Sequence, residues 1–220
     1  MAPSGRMFRD RADAGRALAD LLEGYRGAPG VLVLGLPRGG VPVAAEVAAA
    51  LGAPLDVFVV RKLGVPGREE LAMGAIATGG VRVLNQGVVD ALAIGPSVVE
   101  EVAAREGEEL ARRERLYRPG RPPPDVAGRV VIVVDDGLAT GSTMRAAVTA
   151  LRQAGAGRIV VAVPVGAAST SRGLRADADE VVCARTPSPF RAVGEWYKDF
   201  TPTGEDQIRA ALGRMENDGI

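Results

Sequence analysis

The stretch from Val130 to Met144 reads VVIVVDDGLATGSTM and decides the fold of this chain. Its first five residues are apolar on both faces, which is typical of a central strand in a parallel sheet. Two carboxylates follow, Asp135 and Asp136, and a loop rich in glycine and hydroxyl residues then leads into a predicted helix. The stretch therefore predicts a strand–loop–helix unit whose loop lies at the carboxyl end of a buried strand.

Short β-branched runs alternate with alanine-rich segments along the chain. This alternation predicts an α/β fold with a doubly wound, mainly parallel sheet flanked by helices, and such sheets bind ligands at the carboxyl ends of their strands. The predicted strands are Val31–Leu34, Leu55–Val60, Ala72–Ala77, Val81–Leu84, Arg129–Val134, Arg158–Val163 and Glu180–Cys183. The predicted helices are Asp13–Tyr25, Val43–Leu51, Ser97–Tyr117, Ser142–Ala154, Thr170–Ala176 and Thr203–Met215.

A proline-rich segment, Arg118–Pro124, interrupts this pattern. It is a stiff connector that either separates two domains or forms a loop inside one. The strands on both sides are equally apolar, which favours a single domain over residues 1–220. The helix before the connector carries acidic and basic residues four positions apart, such as Glu109 and Arg113, and is predicted to present a solvated face.

The composition excludes several classes of function. The 220 residues include 27 acidic and 27 basic side chains, which argues against a nucleic-acid partner held by bulk charge but leaves room for a local basic pocket. The absence of histidine excludes Ser-His-Asp triads, HExxH zinc sites and imidazole acid–base chemistry. The single cysteine, Cys183, allows no intrachain disulfide and is predicted to be a small buried hydrophobic residue.

The sequence shows no membrane or export signal. The first twenty residues are charged and lack an apolar core. The longest apolar stretch, Ile159–Ala168, contains Pro164 and is too short to span a bilayer. We therefore expect a soluble, cytoplasmic protein without a membrane partner.

The paired acids require hydrogen-bond donors. Two like charges at the end of a buried strand raise a pKa unless donors satisfy them, and a ribose diol or a hydrated metal ion supplies such donors. The loop offers backbone N–H groups at a helix N-terminus, where the helix dipole favours an anion, and its glycines allow close approach to a phosphate. These residues therefore indicate a sugar phosphate, with its hydroxyls on Asp135 and Asp136 and its phosphate on the loop.

Simpler interpretations exist for the individual residues. Thr140 or Ser142 could merely cap the helix, and the two aspartates could be turn residues, but the whole unit is harder to explain in that way. A Walker A loop is excluded because the spacing from Gly137 to Gly141 is wrong and the lysine is missing. A response-regulator receiver is disfavoured because the only later lysine is Lys198. An NAD-binding Rossmann fold is disfavoured because the sequence lacks GxGxxG and an acidic residue at the required spacing.

The unit resembles the signature with which type I phosphoribosyltransferases bind PRPP (5-phosphoribosyl 1-pyrophosphate). In that family an apolar strand, two acidic residues and a loop of Gly, Thr and Ser follow one another. The resemblance implies that Asp135 and Asp136 hold the 2- and 3-hydroxyls of the ribose. It also implies that the loop wraps the 5-phosphate through Gly137, Leu138, Ala139, Thr140, Gly141, Ser142 and Thr143.

The same resemblance implies a reaction and its partners. A phosphoribosyltransferase transfers the 5-phosphoribosyl group of PRPP to a nitrogenous base and releases pyrophosphate. We expect Mg²⁺ as the cofactor, held by PRPP and water near Asp135 and Asp136 rather than directly by the protein. PRPP and a nucleobase-like acceptor are the expected partners, within nucleotide metabolism, and a homo-oligomer such as a dimer is expected. The alternative is a PRPP- or nucleotide-sensing regulator on the same fold, without transferase activity.

Two further segments match places where the family binds pyrophosphate. After the first strand, Arg38, Gly39 and Gly40 resemble the family's short pyrophosphate loop, although simple strand–helix packing would also explain the glycines. After the second strand, Arg61 and Lys62 are adjacent cations that an anion would satisfy. The resemblance assigns both to pyrophosphate and to catalysis, and a solvated charge pair is the alternative.

The segment Gly64–Gly74 resembles the family's mobile catalytic loop. Its glycines and Pro66 predict a lid that excludes water from the reacting carbon. Glu70 is the candidate catalytic residue of this lid, in contact with the base or with metal-bound water. Glu69 is the alternative for that role, and both glutamates could instead be solvent-exposed.

Residues 185–202 resemble the hood that the family builds over the nucleobase. This segment holds four of the eight aromatic side chains. Trp196, Tyr197 or Phe200 could stack on a base. A small core beneath the hood would use the same aromatic residues and is the alternative.

Overall fold

The computed structural model describes residues 7–217. Its helices are α1 (Arg11–Leu21), α2 (Gly40–Leu51), α3 (Gln86–Ala91), α4 (Pro96–Tyr117), α5 (Ser142–Gln153), α6 (Ala168–Leu174) and α7 (Glu205–Asn217). Its strands are β1 (Val31–Gly35), β2 (Leu55–Val57), β3 (Val60–Val65), β4 (Arg68–Ala77), β5 (Val81–Leu84), β6 (Val130–Val134), β7 (Arg158–Val165) and β8 (Glu180–Arg185). None of the helices in this part of the chain combines the length and apolarity needed to cross a bilayer.

Five strands form a parallel sheet in the order β2-β1-β6-β7-β8. Its register aligns Val33 of β1 with Leu55 of β2 and with Ile132 of β6, and Ile132 with Val160 of β7. Helices α2, α5 and α6 connect successive parallel strands. The carboxyl ends of these strands share one edge of the sheet, so the loops after β1 and β6 lie side by side.

The parallel strands bury side chains on both faces. Val33 and Ile132 belong to a core formed with α1, α2 and α7, whereas Leu34 and Val133 belong to a core on the other face with α5. Helices cover both sides, and a strand covered on both sides must be apolar at every position. This explains the continuous apolar run before Asp135.

A second, antiparallel sheet has the order β3-β4-β5. Leu63, Met73 and Ile76 of this sheet pack against α4, in a core that includes Val102. Its three strands also contact α5. The small sheet therefore lies between α4 and α5 and borders the loop that follows β6.

The fold class predicted from the sequence is confirmed, but the predicted strand Leu55–Val60 is wrong. The chain leaves the parallel sheet after Val57 and enters the antiparallel sheet at Val60. The N–H of Val59 donates a 2.9 Å hydrogen bond to Oγ1 of the buried Thr78, which fixes the crossing between the sheets. The apolar pattern continues across this point because both sheets are buried there, so the pattern alone could not show the break. It also missed the short helix α3, which has no buried residue.

Ile132 tests the packing of the central strand. Its side chain is fully buried in β6, between β1 and β7. Truncation to alanine leaves a cavity, so we expect Ile132→Ala to lower the free energy of unfolding by about 2–5 kcal/mol. Leu21 at the end of α1 is 55% exposed, and we expect Leu21→Ala to change the free energy of unfolding by less than about 0.5 kcal/mol. Urea unfolding followed by circular dichroism measures both, and equal losses would contradict this core assignment.

Candidate active site

Asp135 and Asp136 directly follow β6 at the carboxyl edge of the parallel sheet. Both residues are partly buried. Oδ1 of Asp135 accepts a 2.9 Å hydrogen bond from the N–H of Asp136, and Oδ2 of Asp136 accepts one of the same length from Nε of Arg11. The second oxygen of each carboxylate, Oδ2 of Asp135 and Oδ1 of Asp136, has no hydrogen-bond partner within residues 7–217. Each carboxylate of the pair therefore keeps one acceptor oxygen that no group of the described chain satisfies.

Burial makes the negative charge of this acid pair costly. The pKa of Asp135 rises to about 8, mainly because the carboxyl group is buried and further because Asp136 carries a neighbouring negative charge. Burial also raises the pKa of Asp136, although the guanidinium of Arg11 opposes that shift. A ligand that donates hydrogen bonds to these carboxylates would lower this cost.

The backbone of two glycines in the loop after β1, Gly39 and Gly40, packs closely against the acid pair. Gly39 has helical backbone angles, φ −64° and ψ −32°, so its conformation alone does not demand glycine. However, a Cβ at Gly39 would lie 1.9 Å from Oδ2 of Asp136, and a Cβ at Gly40 would lie 2.6 Å from the carbonyl oxygen of Val134. The predicted residues Gly39 and Gly40 therefore meet the acids directly. Arg38, which precedes them, is exposed.

The loop Gly137–Thr143 is anchored through Leu138. This side chain is 2% exposed, its N–H donates a 2.9 Å hydrogen bond to the carbonyl of Val165, and its own carbonyl accepts a 3.0 Å hydrogen bond from the N–H of Ala167. Leu138 cannot reach a ligand with its side chain, so its predicted phosphate contact is limited to the backbone. The anchor holds the loop against β7, and Ala139, Thr140 and Ser142 of the loop remain exposed.

The rest of this loop has the form of an anion site. Gly141 has a φ of +75° at the N-cap of α5, a backbone conformation that favours glycine. The hydroxyls of Thr140 and Ser142 lie 3.3 Å apart, and no side-chain hydrogen bond caps this helix. The first N–H groups of an α-helix have no acceptor within the helix. The loop therefore offers backbone and hydroxyl donors at the positive end of the helix dipole.

Arg61 and Lys62 lie inside β3, not in a loop after a parallel strand as the sequence predicted. Neighbouring residues of a strand face opposite sides of the sheet. Arg61 is half-buried and forms a 2.6 Å ion pair with Glu106 of α4, whereas Lys62 is exposed and borders a cavity with Ser142 at the start of α5. The pyrophosphate role of Arg61 would require that ion pair to open, and Lys62 is the freer cation of the two.

Glu106 was missed because the sequence predicts a solvated face for α4. Together with Arg61, Lys62 and Thr143 it lines a cavity of about 360 Å³ between α4, the small sheet and the start of α5. The antiparallel sheet places Arg61 and Lys62 near Ser142 and Thr143 at the start of α5, a geometry that the apolar pattern of the chain could not reveal.

The predicted irregular lid over Gly64–Gly74 is a β-hairpin, and β4 begins at Arg68 rather than at Ala72. Pro66 and Gly67 form its turn, where Gly67 has a φ of +75°. Glu69 and Glu70 are both exposed on β4, as the alternative interpretation held. Oε1 of Glu69 accepts a 3.1 Å hydrogen bond from the N–H of Gly67. Glu69 borders the cavity beside Arg61, which makes it better placed than Glu70 to face that cavity.

The aromatic residues of the predicted hood form a small core with Phe8. Tyr197 is 3% exposed, and its hydroxyl donates a 2.5 Å hydrogen bond to the backbone carbonyl of Asp136. Burial raises the pKa of Tyr197. Its ring is not free to stack on a base, so for Tyr197 the small-core interpretation is correct. Trp196 and Phe200 are half-buried and retain some exposed ring surface.

Arg11 is a site residue that the sequence reasoning missed. Besides Asp136, its guanidinium contacts the ring of Phe200, 4.1 Å from the centroid. The residues before α1 hold Arg11 in this place, because the N–H of Phe8 donates a 2.9 Å hydrogen bond to the carbonyl of Trp196. No motif near residue 11 signals this role, since the pairing joins opposite ends of the chain.

The acid pair alone is too small a ligand set for a metal ion. Within residues 7–217, no three Cys, Asp or Glu side chains are grouped so that they could hold one. Carboxylate oxygens do suit Mg²⁺, which commonly takes one or two carboxylates and completes its shell with substrate phosphates and water. The residues present therefore fit a magnesium ion that arrives with a phosphorylated ligand.

The raised pKa of Asp135 makes stability depend on pH. An unfolded aspartate ionises near pH 4, whereas the folded chain raises the pKa of Asp135 to about 8. Between these values the folded state holds the proton more tightly, so stability falls as pH rises from about 4 to about 8. We expect Asp135→Asn to remove this loss. The free energy of unfolding of Asp135→Asn, relative to that of the wild type, should be higher at pH 8.5 than at pH 5 by at least about 1.4 kcal/mol, which corresponds to one pKa unit.

Urea unfolding at both pH values measures this difference. Asp20 is an exposed carboxylate on α1, and Asp20→Asn serves as the matched control that should show no such gain. An Asp135→Asn variant whose stability relative to the wild type is the same at both pH values would contradict the burial of this charge.

Comparisons with known proteins agree with this geometry. Residues 9–199 match the family model of the phosphoribosyl transferase domain. A Mycobacterium tuberculosis protein, named as a phosphoribosyl transferase by inference only, is 49% identical over 213 residues, which are 97% of this chain and 48% of that protein. The chain therefore spans about half the length of this relative.

Two further proteins are similar over most of their lengths. The bifunctional protein PyrR of Leifsonia xyli subsp. xyli is 30% identical over 178 residues, 78% of this chain and 80% of that protein. A crystal structure of a Thermus thermophilus protein has 44% sequence identity and a TM-score of 0.86, and the match covers 95% of this chain and 99% of that one. Because the family model matches most of the chain, including the acid pair, both glycine-containing loops and Tyr197, the chain belongs to the phosphoribosyltransferase family.

Proposed function

We propose that this protein transfers the 5-phosphoribosyl group of Mg-PRPP to a nitrogenous base and releases pyrophosphate. The observation that carries this proposal is the pair of free oxygens, one on Asp135 and one on Asp136, beside the open loop at the start of α5. Two adjacent hydroxyl donors, as in a ribose diol, suit two adjacent acceptors, and a 5-phosphate suits the donors of the loop. Membership of the family supports the transfer chemistry.

The residues would act mainly by positioning and electrostatics, since the sequence contains no histidine. Asp135 and Asp136 would accept hydrogen bonds from the ribose hydroxyls, and Gly137–Thr143 would hold the 5-phosphate. The bond from the anomeric carbon to pyrophosphate breaks, and a bond from that carbon to a ring nitrogen of the base forms. The two carboxylates would stabilise the positive charge that develops on the ribose during this exchange.

The departing pyrophosphate carries negative charge that needs cations and donors. Arg38, Gly39, Gly40 and Lys62 are the residues that would face it, with Arg61 joining only if its pair with Glu106 opens. Mg²⁺ brought by PRPP would offset more of this charge. Asp135 and Asp136 would lie near the ion and contact it through water and the ribose oxygens.

The acceptor would bind between two mobile or variable parts of the fold. The hairpin between β3 and β4 would close as the lid, with Glu70 or Glu69 towards the acceptor, and Trp196 or Phe200 would form the hood. Resemblance to the family supports these assignments. A single domain over residues 1–220, a cytoplasmic location and a homodimer belong to the same proposal.

A panel of purine, pyrimidine and other nitrogenous bases, each incubated with Mg-PRPP, tests the function through pyrophosphate release. We expect release with at least one base and none without a base. Tight binding of Mg-PRPP without release across the panel would instead support the sensing regulator. Absence of Mg-PRPP binding by calorimetry would contradict both the transferase and a PRPP-sensing regulator.

Gly39 tests the contact between the two loops. A methyl group there would occupy the place of Oδ2 of Asp136, so we expect Gly39→Ala to weaken Mg-PRPP binding by at least about tenfold, the effect of one lost charged hydrogen bond. Gly107 in α4 has its nearest foreign atom, Cδ1 of Ile76, 3.6 Å from an ideal Cβ. Gly107→Ala is therefore the matched control. Calorimetric affinities that are equal for both variants would contradict the proposed ribose site.

Lys62 tests the pyrophosphate side of the site. Because it would contact only the leaving group, we expect Lys62→Ala to weaken Mg-PRPP binding by about tenfold and to leave ribose 5-phosphate affinity unchanged. Arg82 on β5 of the same sheet pairs with Glu100 at 2.7 Å, and Arg82→Ala is the control for charge removal. Calorimetry with both ligands makes the comparison. Equal losses for PRPP and ribose 5-phosphate would place Lys62 elsewhere in the site.

A further inference from the structure

Arg11 joins the acid pair to the hood through three contacts of one guanidinium group. Nε donates a 2.9 Å hydrogen bond to Oδ2 of Asp136, and Nη2 lies 2.9 Å from the same oxygen. Nη1 donates a 2.8 Å hydrogen bond to the backbone carbonyl of Thr201. The flat face of the group lies 4.1 Å from the ring centroid of Phe200. With 11% of its side chain exposed, Arg11 is part of the interior of the site.

The start of α1 holds Arg11 in this position. Arg11 is the first residue of the helix, and Asp10 caps the helix by accepting a 2.7 Å hydrogen bond from the N–H of Asp13. The residues just before it pair with the hood segment, where the N–H of Lys198 donates a 2.8 Å hydrogen bond to the carbonyl of Phe8. The backbone around Arg11 is therefore tied both to the helix and to the hood.

The contact with Asp136 orients the carboxylate without saturating it. Both nitrogens of Arg11 use the same oxygen, Oδ2. Oδ1 of Asp136 and Oδ2 of Asp135 have no hydrogen-bond partner within the described chain. Arg11 can therefore keep its place when a ligand hydroxyl binds Oδ1 of Asp136.

Glycine at position 39 is what admits the guanidinium beside the carboxylate. An ideal Cβ on Gly39 would lie 3.2 Å from Nε of Arg11 and 1.9 Å from Oδ2 of Asp136. The planar group of arginine can donate to a carboxylate and to a carbonyl while stacking on an aromatic ring, whereas lysine offers a point charge without a stacking face. The site is thus shaped for arginine.

We propose that Arg11 is a positioning residue of the phosphoribosyl site: it fixes Asp136 for the ribose hydroxyl and ties the hood to that same carboxylate. This inference rests on the proposed function. The role of Arg11 makes binding of the ribose and closure of the hood over the acceptor depend on each other, because its side chain contacts both Asp136 and the hood. Arg11 itself touches neither the ribose nor the pyrophosphate.

Two measurements on Arg11→Ala test the two halves of this role. Without ligand, amide hydrogen exchange should become at least about tenfold faster in the hood peptide 196–203, and it should stay unchanged in the control peptide 158–165 of β7. With ligand, calorimetry should show Mg-PRPP affinity reduced by at least about tenfold. Free guanidinium at millimolar concentration should restore most of that affinity, which a general loss of packing would not allow.

Two variants control for charge and for folding. Arg16 lies on the same helix, is 51% exposed and pairs with Glu46, so Arg16→Ala should leave both measurements unchanged. If Arg11→Ala does not fold, Arg11→Lys takes its place, because lysine keeps the positive charge and the apolar part of the side chain. We expect Arg11→Lys to recover part of the Mg-PRPP affinity while its hood peptide still exchanges faster than in the wild type.

The outcomes separate this inference from the function on which it rests. A wild-type protein that does not bind Mg-PRPP removes the proposed function, whatever the exchange data show. Arg11→Ala or Arg11→Lys with wild-type affinity and wild-type hood exchange would overturn the role of Arg11 alone. Reduced affinity that guanidinium does not restore would assign Arg11 to folding rather than to positioning.

Discussion

Two neighbouring carboxylates stand at the end of a strand that is buried on both faces, and glycine backbone is packed against them. The apolar run of β6 brings Asp135 and Asp136 to the edge of the sheet, where burial raises the pKa of both. Gly39 and Gly40 approach so closely that a Cβ on either would collide with this region. A costly pair of charges with one free oxygen each is a site prepared for hydrogen-bond donors, and the surrounding loops are arranged around that requirement.

Segments distant in sequence complete the same edge of the sheet. The loop Gly137–Thr143 follows β6 directly, whereas α1 and the segment around Tyr197 are far apart in the sequence. The hydroxyl of Tyr197 donates a hydrogen bond to the backbone carbonyl of Asp136, and Arg11 donates one to its side chain, so two segments far apart in sequence meet at one residue. The small antiparallel sheet adds Lys62 beside the start of α5. The site is therefore assembled from parts that depend on the whole fold.

Much of the fold and the centre of the site could be predicted from the sequence because they rest on local pattern. The run Val130–Val134 requires a strand covered on both faces, and the residues after it require donors and permit a tight loop. These features lie within one continuous stretch of fifteen residues. The sequence also indicated the loop at Gly39, which follows the first strand at the same edge of the sheet, but it did not indicate the contact of Gly39 with Asp136.

The parts that escaped prediction depend on long-range pairing. Val57 and Val60 belong to different sheets although the sequence between them is uniformly apolar, and this misplaced Arg61 and Lys62. The pairing of Arg61 with Glu106 joins β3 to a helix predicted to be solvated. Arg11 reaches Asp136 only because Phe8 pairs with the chain near Trp196. Side-chain periodicity reports burial, and it contains no information about which distant element provides it.

A crystal structure of the protein soaked with ribose 5-phosphate tests the central claim most directly. The account predicts the phosphate on the backbone N–H groups of residues 139–143, with the 2- and 3-hydroxyls on Oδ2 of Asp135 and Oδ1 of Asp136. A sugar phosphate bound at another place, with no ligand contact to these two oxygens, would contradict it.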